Sequence, residues 1–328
     1  MTKAPEKLGR QFYRDHLSKQ GQVFYDCINA QLLRKDYSGS THLPISDAAT
    51  SASDSFSAYK AIRDDHPEYF FLGWQCQLVR KGETATLQYP MLYAPDIIAR
   101  IDKQLRKSIC QIVRGTATLP LVEREMLVYE RIAKKLSYTN NNDVRDHNIV
   151  GPVLMSAGVC EGHNALLLLC LRRIGIPCIK VYGKVKAGGW HCWTIAWING
   201  TAAHCDVTWD GPKEGVVCFN YFNLSDEQIS VDHFDFKGTQ IPACTSEAFN
   251  FYNYYNLCAR SFGDVRRLVK GTSRKGMSPI RIHFEYEPPG GKCSAEVERA
   301  LFAERIYGYN KLCFNPRQKN ILIIKEKR

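Results

Sequence analysis

One cysteine, one histidine and one aspartate of this chain stand where a thiol can be made nucleophilic. Cys160 lies where a loop becomes a helix, in Gly158-Val159-Cys160-Glu161-Gly162-His163. His191 opens a strand in Gly188-Gly189-Trp190-His191-Cys192-Trp193, and Asp206 lies on the next strand in His204-Cys205-Asp206-Val207-Thr208-Trp209-Asp210. Thiol, imidazole and carboxylate are the nucleophile, the base and the orienting group of covalent acyl transfer. At a helix start, unpaired backbone N–H groups and the helix dipole favour a thiolate, and a nearby imidazolium favours it further. Gly158 and Gly162 permit close approach of backbone or substrate. The Cys160 amide is one oxyanion donor; for the second, Trp190, His147 and Asn148 stand open as candidates.

Turn chemistry relates the histidine to the aspartate. Asn199-Gly200 is a two-residue hairpin signal with positive φ at both positions. If it is the whole loop, Ile198 pairs with Thr201, Trp193 falls opposite Asp206, and His191 opposite Thr208. His191 and Asp206 then share a sheet face as diagonal neighbours, with α-carbons about 7 to 8 Å apart, close enough for one hydrogen bond. Cys192 and Cys205 point to the opposite face. His204 shares the His191 face but lies deeper, beside the turn, and reads as a hydrogen-bonded core histidine rather than the base. Asp210 replaces Asp206 only if the register slips.

The elements that must hold these groups can be traced by period. Residues 8 to 35 carry helical spacing, with Phe24, Cys27, Ile28 and Leu32 on one face. Tyr37 to Ser57 is a polar stretch without period, expected as a loop, and a short helix follows over Phe56 to Asp64. Trp74 to Arg80 and Thr84 to Tyr89 form a hairpin about Lys81-Gly82-Glu83. A helix begins near Thr118, with Pro120 and Glu123 in its first turn and Val122, Met126, Tyr129, Ala133 and Leu136 along one face. Tyr138 to Ala157 reads as loop. Cys160 to Arg173 is a helix ended by Gly175 and Pro177, and its Leu166-Leu167-Leu168-Leu169 run requires burial on most sides. Strands are expected at Ile179–Lys186, Trp190–Ile198, Thr201–Thr208 and Val216–Phe222. After the aromatic cluster Phe249 to Tyr255 come a strand over Pro279–Tyr286, a helix over Ser294–Ile306 and a strand over Ile321–Ile324. The division is an accessory α+β region over 1–115, a catalytic core over 116–236 and an α+β extension over 237–328.

With 328 residues, the chain can bury a full core. No apolar run approaches bilayer length, and Met1 to Leu8 lacks the apolar stretch of a secretory signal, so a cytoplasmic protein without membrane contact is expected. The 13 cysteines are odd in number, scattered and free of any Cys-x-x-Cys pair, which argues for reduced thiols. A formal charge of +11 raises the question of an anionic partner. The basic residues are dispersed, with the tail Lys325-Glu326-Lys327-Arg328 the longest cluster, and no zinc-finger or RNA-recognition pattern occurs; specific nucleic-acid binding is not expected.

At Gly158–His163, Arg173-Ile174-Gly175-Ile176-Pro177 with Tyr182-Gly183, His191-Cys192-Trp193 and Asp206–Asp210, the chain resembles the transglutaminase-like superfamily. The resemblance covers 157 to 210 firmly and 120 to 236 loosely, where Tyr221-Phe222-Asn223-Leu224-Ser225-Asp226 is also similar to members. It implies a papain-related α+β core, a helix carrying the cysteine packed on an antiparallel sheet. It further implies that Cys160 attacks an amide or ester carbonyl, His191 relays the proton, Asp206 holds the imidazolium, and an acyl-enzyme passes to water or to an amine. One departure is His163, where many members have an aromatic residue. Nothing resembles an EF-hand calcium loop. The expected partner is a peptide or protein substrate, with hydrolysis favoured over transamidation and no cofactor required; oligomeric state is not legible.

Other readings attach to the same residues. Trp190, Trp193 and Trp209, with Trp197, cluster within twenty residues. They suit either the walls of an acyl channel or the packing of a buried sheet face. His163, one helical turn after Cys160, is a candidate pocket residue. Cys160, His163, His191 and Cys205 form a conceivable zinc set, opposed by the facing of Cys205. A catalytically inactive binding module on the same fold is the remaining alternative.

Overall fold

The computed structural model describes residues 9–44, 52–82, 84–139, 141, 143–213, 215–236, 241–274 and 279–325. Met1 to Leu8, residues 45–51 of the expected loop, Glu83 of the hairpin turn and the tail after Lys325 lie outside the described residues. The expected helix over 8–35 is two: α1 (Phe12–Asp15) and α2 (Lys19–Leu33). They meet at Ser18, whose Oγ accepts from the Gly21 N–H at 2.9 Å and caps the second helix. β1 (Ser40–Leu43) forms within the stretch read as loop, and α3 (Ala52–Asp65) starts earlier than its expected Phe56. β2 (Gln77–Lys81) and β3 (Thr84–Gln88) make the expected hairpin, and β1 joins β3 on its other edge. No expectation covers α4 (Pro95–Ile112), although Ile98, Ile101, Leu105 and Ile112 recur at helical spacing and are buried.

α5 (Leu121–Lys135) begins after Pro120. β4 (Ser137–Tyr138) and β5 (Ala157–Gly158) pair in parallel around a π-helical turn at Gly151–Met155. α6 spans Cys160–Arg173, the limits read from sequence, with Gly175 at φ +83° just past its end. The central antiparallel sheet runs β8-β7-β6-β9, from β6 (Cys178–Val185), β7 (Trp190–Ile198), β8 (Thr201–Cys205) and, after the single turn α7 (Asp226–Ile229), β9 (His233–Phe234). α6 lies against the β7 face that carries Cys192 and Thr194, pinned by Asn164: its Nδ2 donates to the Cys192 carbonyl at 2.8 Å, and its Oδ1 accepts from Thr194 Oγ1 at 2.9 Å. Trp193, Ile195, Ile179 and Val181 fill the other face with Tyr221 and Phe236.

Two strand expectations are corrected. The β7–β8 register runs from Ile198↔Thr201 to Thr194↔Cys205 as counted, with Asn199 and Gly200 at φ +51° and +84°, but β8 stops at Cys205 instead of Thr208. Val216–Phe222 is no strand. Asp210 draws this segment in by accepting from the Asn220 and Tyr221 N–H groups at 2.7 and 2.9 Å, and Phe219 and Asn223 take positive φ.

α8 (Phe251–Tyr254) leads into a second sheet of order β10-β11-β13-β12, built from β10 (Cys258–Ala259), β11 (Ile280–Phe284), β12 (Tyr309–Asn315) and β13 (Asn320–Lys325). α9 (Phe262–Arg274) and α10 (Cys293–Ala303) pack on it around their own apolar cluster. The main cluster is continuous from Phe24 through Leu168 to Tyr252, crossing residue 115 without a break. Among the described residues no helix is long and apolar enough to cross a membrane.

Gly162 fixes the height at which α6 begins. A Cβ there would stand 2.7 Å from the Asp146 carbonyl oxygen and 2.9 Å from that of Asn148. Gly162→Ala is therefore expected to destabilise the protein by about 1–3 kcal/mol. Gly271→Ala, in open space on α9, should be neutral or stabilising by up to about 1 kcal/mol. Thermal unfolding of the two variants checks the contrast.

Candidate active site

Cys160 is the first residue of α6 and half-buried; His191 is the second of β7; Asp206 is the first residue past β8 and has no exposure. The three meet. His191 Nε2 lies 2.8 Å from Asp206 Oδ2, which leaves Nδ1 for the Cys160 sulfur, with which the ring is in hydrogen-bonding contact. Asp206 reaches the imidazole because it leaves the ladder. Its Oδ1 accepts from the N–H groups of Thr208 at 3.0 Å and Trp209 at 3.4 Å, folding residues 206–209 into a turn, while its own N–H donates to the Tyr221 carbonyl at 2.9 Å.

The electrostatics follow from these contacts. The Cys160 thiol is lowered to about 4, first by a hydrogen bond from the Cys192 thiol, against the cost of burial, and then by the hydrogen bond and charge of His191. Burial alone would push His191 down, but the Asp206 carboxylate and the sulfur raise it to about 10. Burial likewise works against an ionised Asp206, and the two imidazoles around it win, holding it well below the usual carboxylate range. At neutral pH the pair is thiolate and imidazolium. The Cys192 thiol, which sequence assigns to the face away from His191, does lie on that other face, and there it meets Cys160.

A second layer escapes sequence reasoning. His233 Nε2 sits 3.2 Å from the same Asp206 Oδ2, and its Nδ1 lies 2.6 Å from Asp232 Oδ1. The Tyr221 hydroxyl donates to Asp232 Oδ2 at 2.6 Å, and Arg317 of the β12–β13 turn approaches that oxygen at 3.9 Å. Burial opposes protonation of His233, yet with a carboxylate at each nitrogen it is raised. The only local signal is an Asp-His dipeptide. Pairing of β9 with β6 is what brings it to the site, with Gly183 between: a Cβ there would meet Trp193 at 2.6 Å and the Phe234 carbonyl at 2.8 Å.

The four residues expected to bind substrate part ways. Trp190 is 73% exposed at a cleft rim, with Lys184 Nζ 5.5 Å from its ring centre. Trp193 is a correction: it has no exposure, and its Nε1 donates to His204 Nδ1 at 2.9 Å, so it is core. Trp209 covers the imidazoles, its ring 5.7 Å from His191 and 4.6 Å from His233. His163 is the second correction. It is buried with Nε2 3.2 Å from the Ser137 carbonyl, and it ties α6 to β4. Of the oxyanion candidates, His147 is engaged with Glu161 at 3.0 Å and the Asn148 oxygen caps Val150 at 2.9 Å. Trp197 lies by Phe12, ring centres 6.4 Å apart.

Cys205 faces Glu125 and Asn223 at 3.6 and 3.3 Å, so the set Cys160, His163, His191 and Cys205 is not assembled. Ligand atoms of His191, Asp206 and His233 converge, as do those of His204, Asp226 and Cys244. In the second group Trp193 donates to His204 Nδ1, which places the ring proton on Nε2, facing Asp226 at 2.9 Å, and leaves no lone pair for a cation. His204 is the hydrogen-bonded core histidine expected. Asp210 is spent on Tyr129, Asn220 and Tyr221.

Iodoacetamide should label Cys160 at a rate nearly flat from about pH 5 to about pH 9, because thiolate is lost only as pH falls through about 4 and imidazolium as it rises through about 10. An ordinary thiol would instead gain about tenfold per pH unit up to about pH 8 and level off above it. His233→Gln removes a group that is protonated along the acid limb and sits against Asp206 and the His191 ring, so that limb should move upward; a merely structural role would lower the melting temperature and leave it in place. Mass-resolved labelling across pH measures both.

Residues 107–207 match the model of the transglutaminase-like superfamily. No curated protein matches the chain significantly in sequence. Among solved structures, a TGase is similar over 69% of this chain and 62% of its own, at 12% identity and a TM-score of 0.32. A candidate cysteine protease from Cytophaga hutchinsonii is similar over 44% of this chain and 65% of its own, at 15% identity and a TM-score of 0.29. The chain thus spans less than two thirds of the length of either. Helix α6 on its antiparallel sheet, with the cysteine at the helix start, makes up most of what the matched stretch encodes: residues 107–207 are similar to a transglutaminase-like core in an α+β setting.

Proposed function

We propose that the protein is a cysteine-dependent hydrolase of peptide or isopeptide bonds, acting through Cys160, His191 and Asp206. The observation that carries this reading is the single imidazole held between a buried carboxylate and a thiol at a helix start. In the proposed cycle the Cys160 sulfur attacks the amide carbonyl, and the oxyanion gathers on the Cys160 N–H at the open end of α6. His191 then gives its Nδ1 proton to the leaving amine, the C–N bond breaks and an acyl-enzyme forms. Water, deprotonated by the same nitrogen, attacks the thioester and releases the acid and the thiolate. Asp206 keeps the ring oriented and supports its positive charge throughout.

Hydrolysis is favoured over transfer to an amine because Cys160 is only partly buried and the neighbouring cleft is open, which suits entry of water to the thioester. The described cysteines are all unpaired, which suits a reducing, cytoplasmic setting.

Incubation with a peptide library, with and without an added primary amine, separates the outcomes by product mass: an 18 Da gain shared between two fragments marks hydrolysis, and an amine adduct marks transamidation. Cys160→Ala should lower turnover by at least about a thousandfold while the melting temperature holds. Full activity in that variant would refute the nucleophile, and absence of turnover on every substrate, with unselective labelling of Cys160, would favour the inactive module.

A further inference from the structure

A cleft of about 730 Å³ lies between α3, residues 74–76, the second half of β6 and the start of β7. Phe56, Trp74 and Trp190, each more than two fifths exposed, stand around it. Its inner end adjoins the site: Tyr182 lines it and donates its hydroxyl toward Glu161 Oε1 at 3.4 Å, one residue after Cys160, and Trp190 precedes His191. A cavity of about 780 Å³ between α5, α8 and α9 shares no lining residue with it or with the triad.

Charge in this cleft is unbalanced at one point. Asp64 is held by Lys60 at 2.7 Å, Lys180 at 3.4 Å and the Tyr182 hydroxyl at 2.8 Å, and Glu161 by His147 and Tyr182. Lys184 pairs with Asp235 at 2.9 Å. Arg63 has no carboxylate partner among the described residues. Its guanidinium stacks over Trp74, 4.3 Å from the ring centre, half-buried in the cleft wall. Stacking fixes the plane of the guanidinium and leaves its N–H edge free, the arrangement that receives a carboxylate through two parallel hydrogen bonds.

We infer that this cleft is a substrate subsite for a peptide carrying a carboxylate, with Arg63 as the recognising group and Trp74 and Trp190 flanking the chain. The inference rests on Cys160 being the reactive centre, and it deepens that reading by naming the substrate class. The carboxylate has two sources, an acidic side chain or a free peptide C-terminus.

The test uses binding, so it does not depend on turnover. Alanine hexapeptides, N-acetylated and C-amidated, with one glutamate walked through the six positions, and the all-alanine peptide with a free C-terminus, are titrated calorimetrically against full-length Cys160→Ala protein. One glutamate register, or the free C-terminus, should bind about tenfold more tightly than the neutral peptide, the size of a charge-assisted hydrogen-bonded pair at a partly open site. The gain should vanish in Arg63→Gln, survive in part in Arg63→Lys and persist in Lys184→Gln. Equal binding of all peptides, or a carboxylate preference unchanged in Arg63→Gln, overturns the proposal. Selective iodoacetamide labelling of Cys160 in the wild-type protein is scored separately, so failure of the subsite and failure of the nucleophile give different results.

Discussion

A carboxylate without any exposure, kept ionised, is the constraint around which this molecule is arranged. Removing such an ion from water costs several kcal/mol unless its oxygens are satisfied. Asp206 meets that requirement with two imidazoles on Oδ2 and two backbone amides on Oδ1. Each partner dictates a piece of structure. The amides end β8 and form the turn that carries Trp209, the first imidazole orients toward Cys160, and the second requires β9 to close the sheet beside β6.

From sulfur outward acidic and basic groups alternate: Cys160, His191, Asp206, His233, and then Asp232 beneath Tyr221 and Arg317. Each group thus has a neighbour of the opposite kind in a poorly solvated region, where electrostatic interactions are strong. The flanking regions contribute at both ends of this series. Arg317 comes from the C-terminal sheet, and the wall opposite Trp190 comes from α3 and Trp74. The stretch that matches the transglutaminase-like model carries the thiol, the imidazole and its carboxylate, while its surroundings supply the outermost counter-ion and the open face.

Much of this was legible in residues. The limits of α6 follow from its apolar run and Gly175, and the β7–β8 register follows from Asn199-Gly200, which brings His191 and Asp206 to the same end of adjacent strands; the contact itself is made only because Asp206 turns out of the ladder. What could not be read depends on side chains acting on distant backbone. Nothing in the order Cys205-Asp206-Val207 says that a carboxylate will capture the amides of Thr208 and Trp209, and nothing near Val216 says that Asp210 will claim Asn220 and Tyr221. His233 needs the sheet order, and the core position of Trp193 needs His204 as a partner. Helix α4 is a different matter: its apolar spacing was there to be found.

Residues 9–15 are tied to the middle of the chain. Tyr13 bonds the Lys180 carbonyl, and Arg172 donates to the carbonyls of Gly9 and Asp65 at 2.7 and 2.6 Å, closing loops of more than a hundred residues. During synthesis, then, Gly9, Tyr13 and Asp65 lack these partners until Arg172 and Lys180 emerge. Such distant pairing slows folding and lengthens the time that sticky surface is open to other chains. Nascent-chain protection, rather than the stability of the finished fold, is the demand this topology places on the cell that makes it.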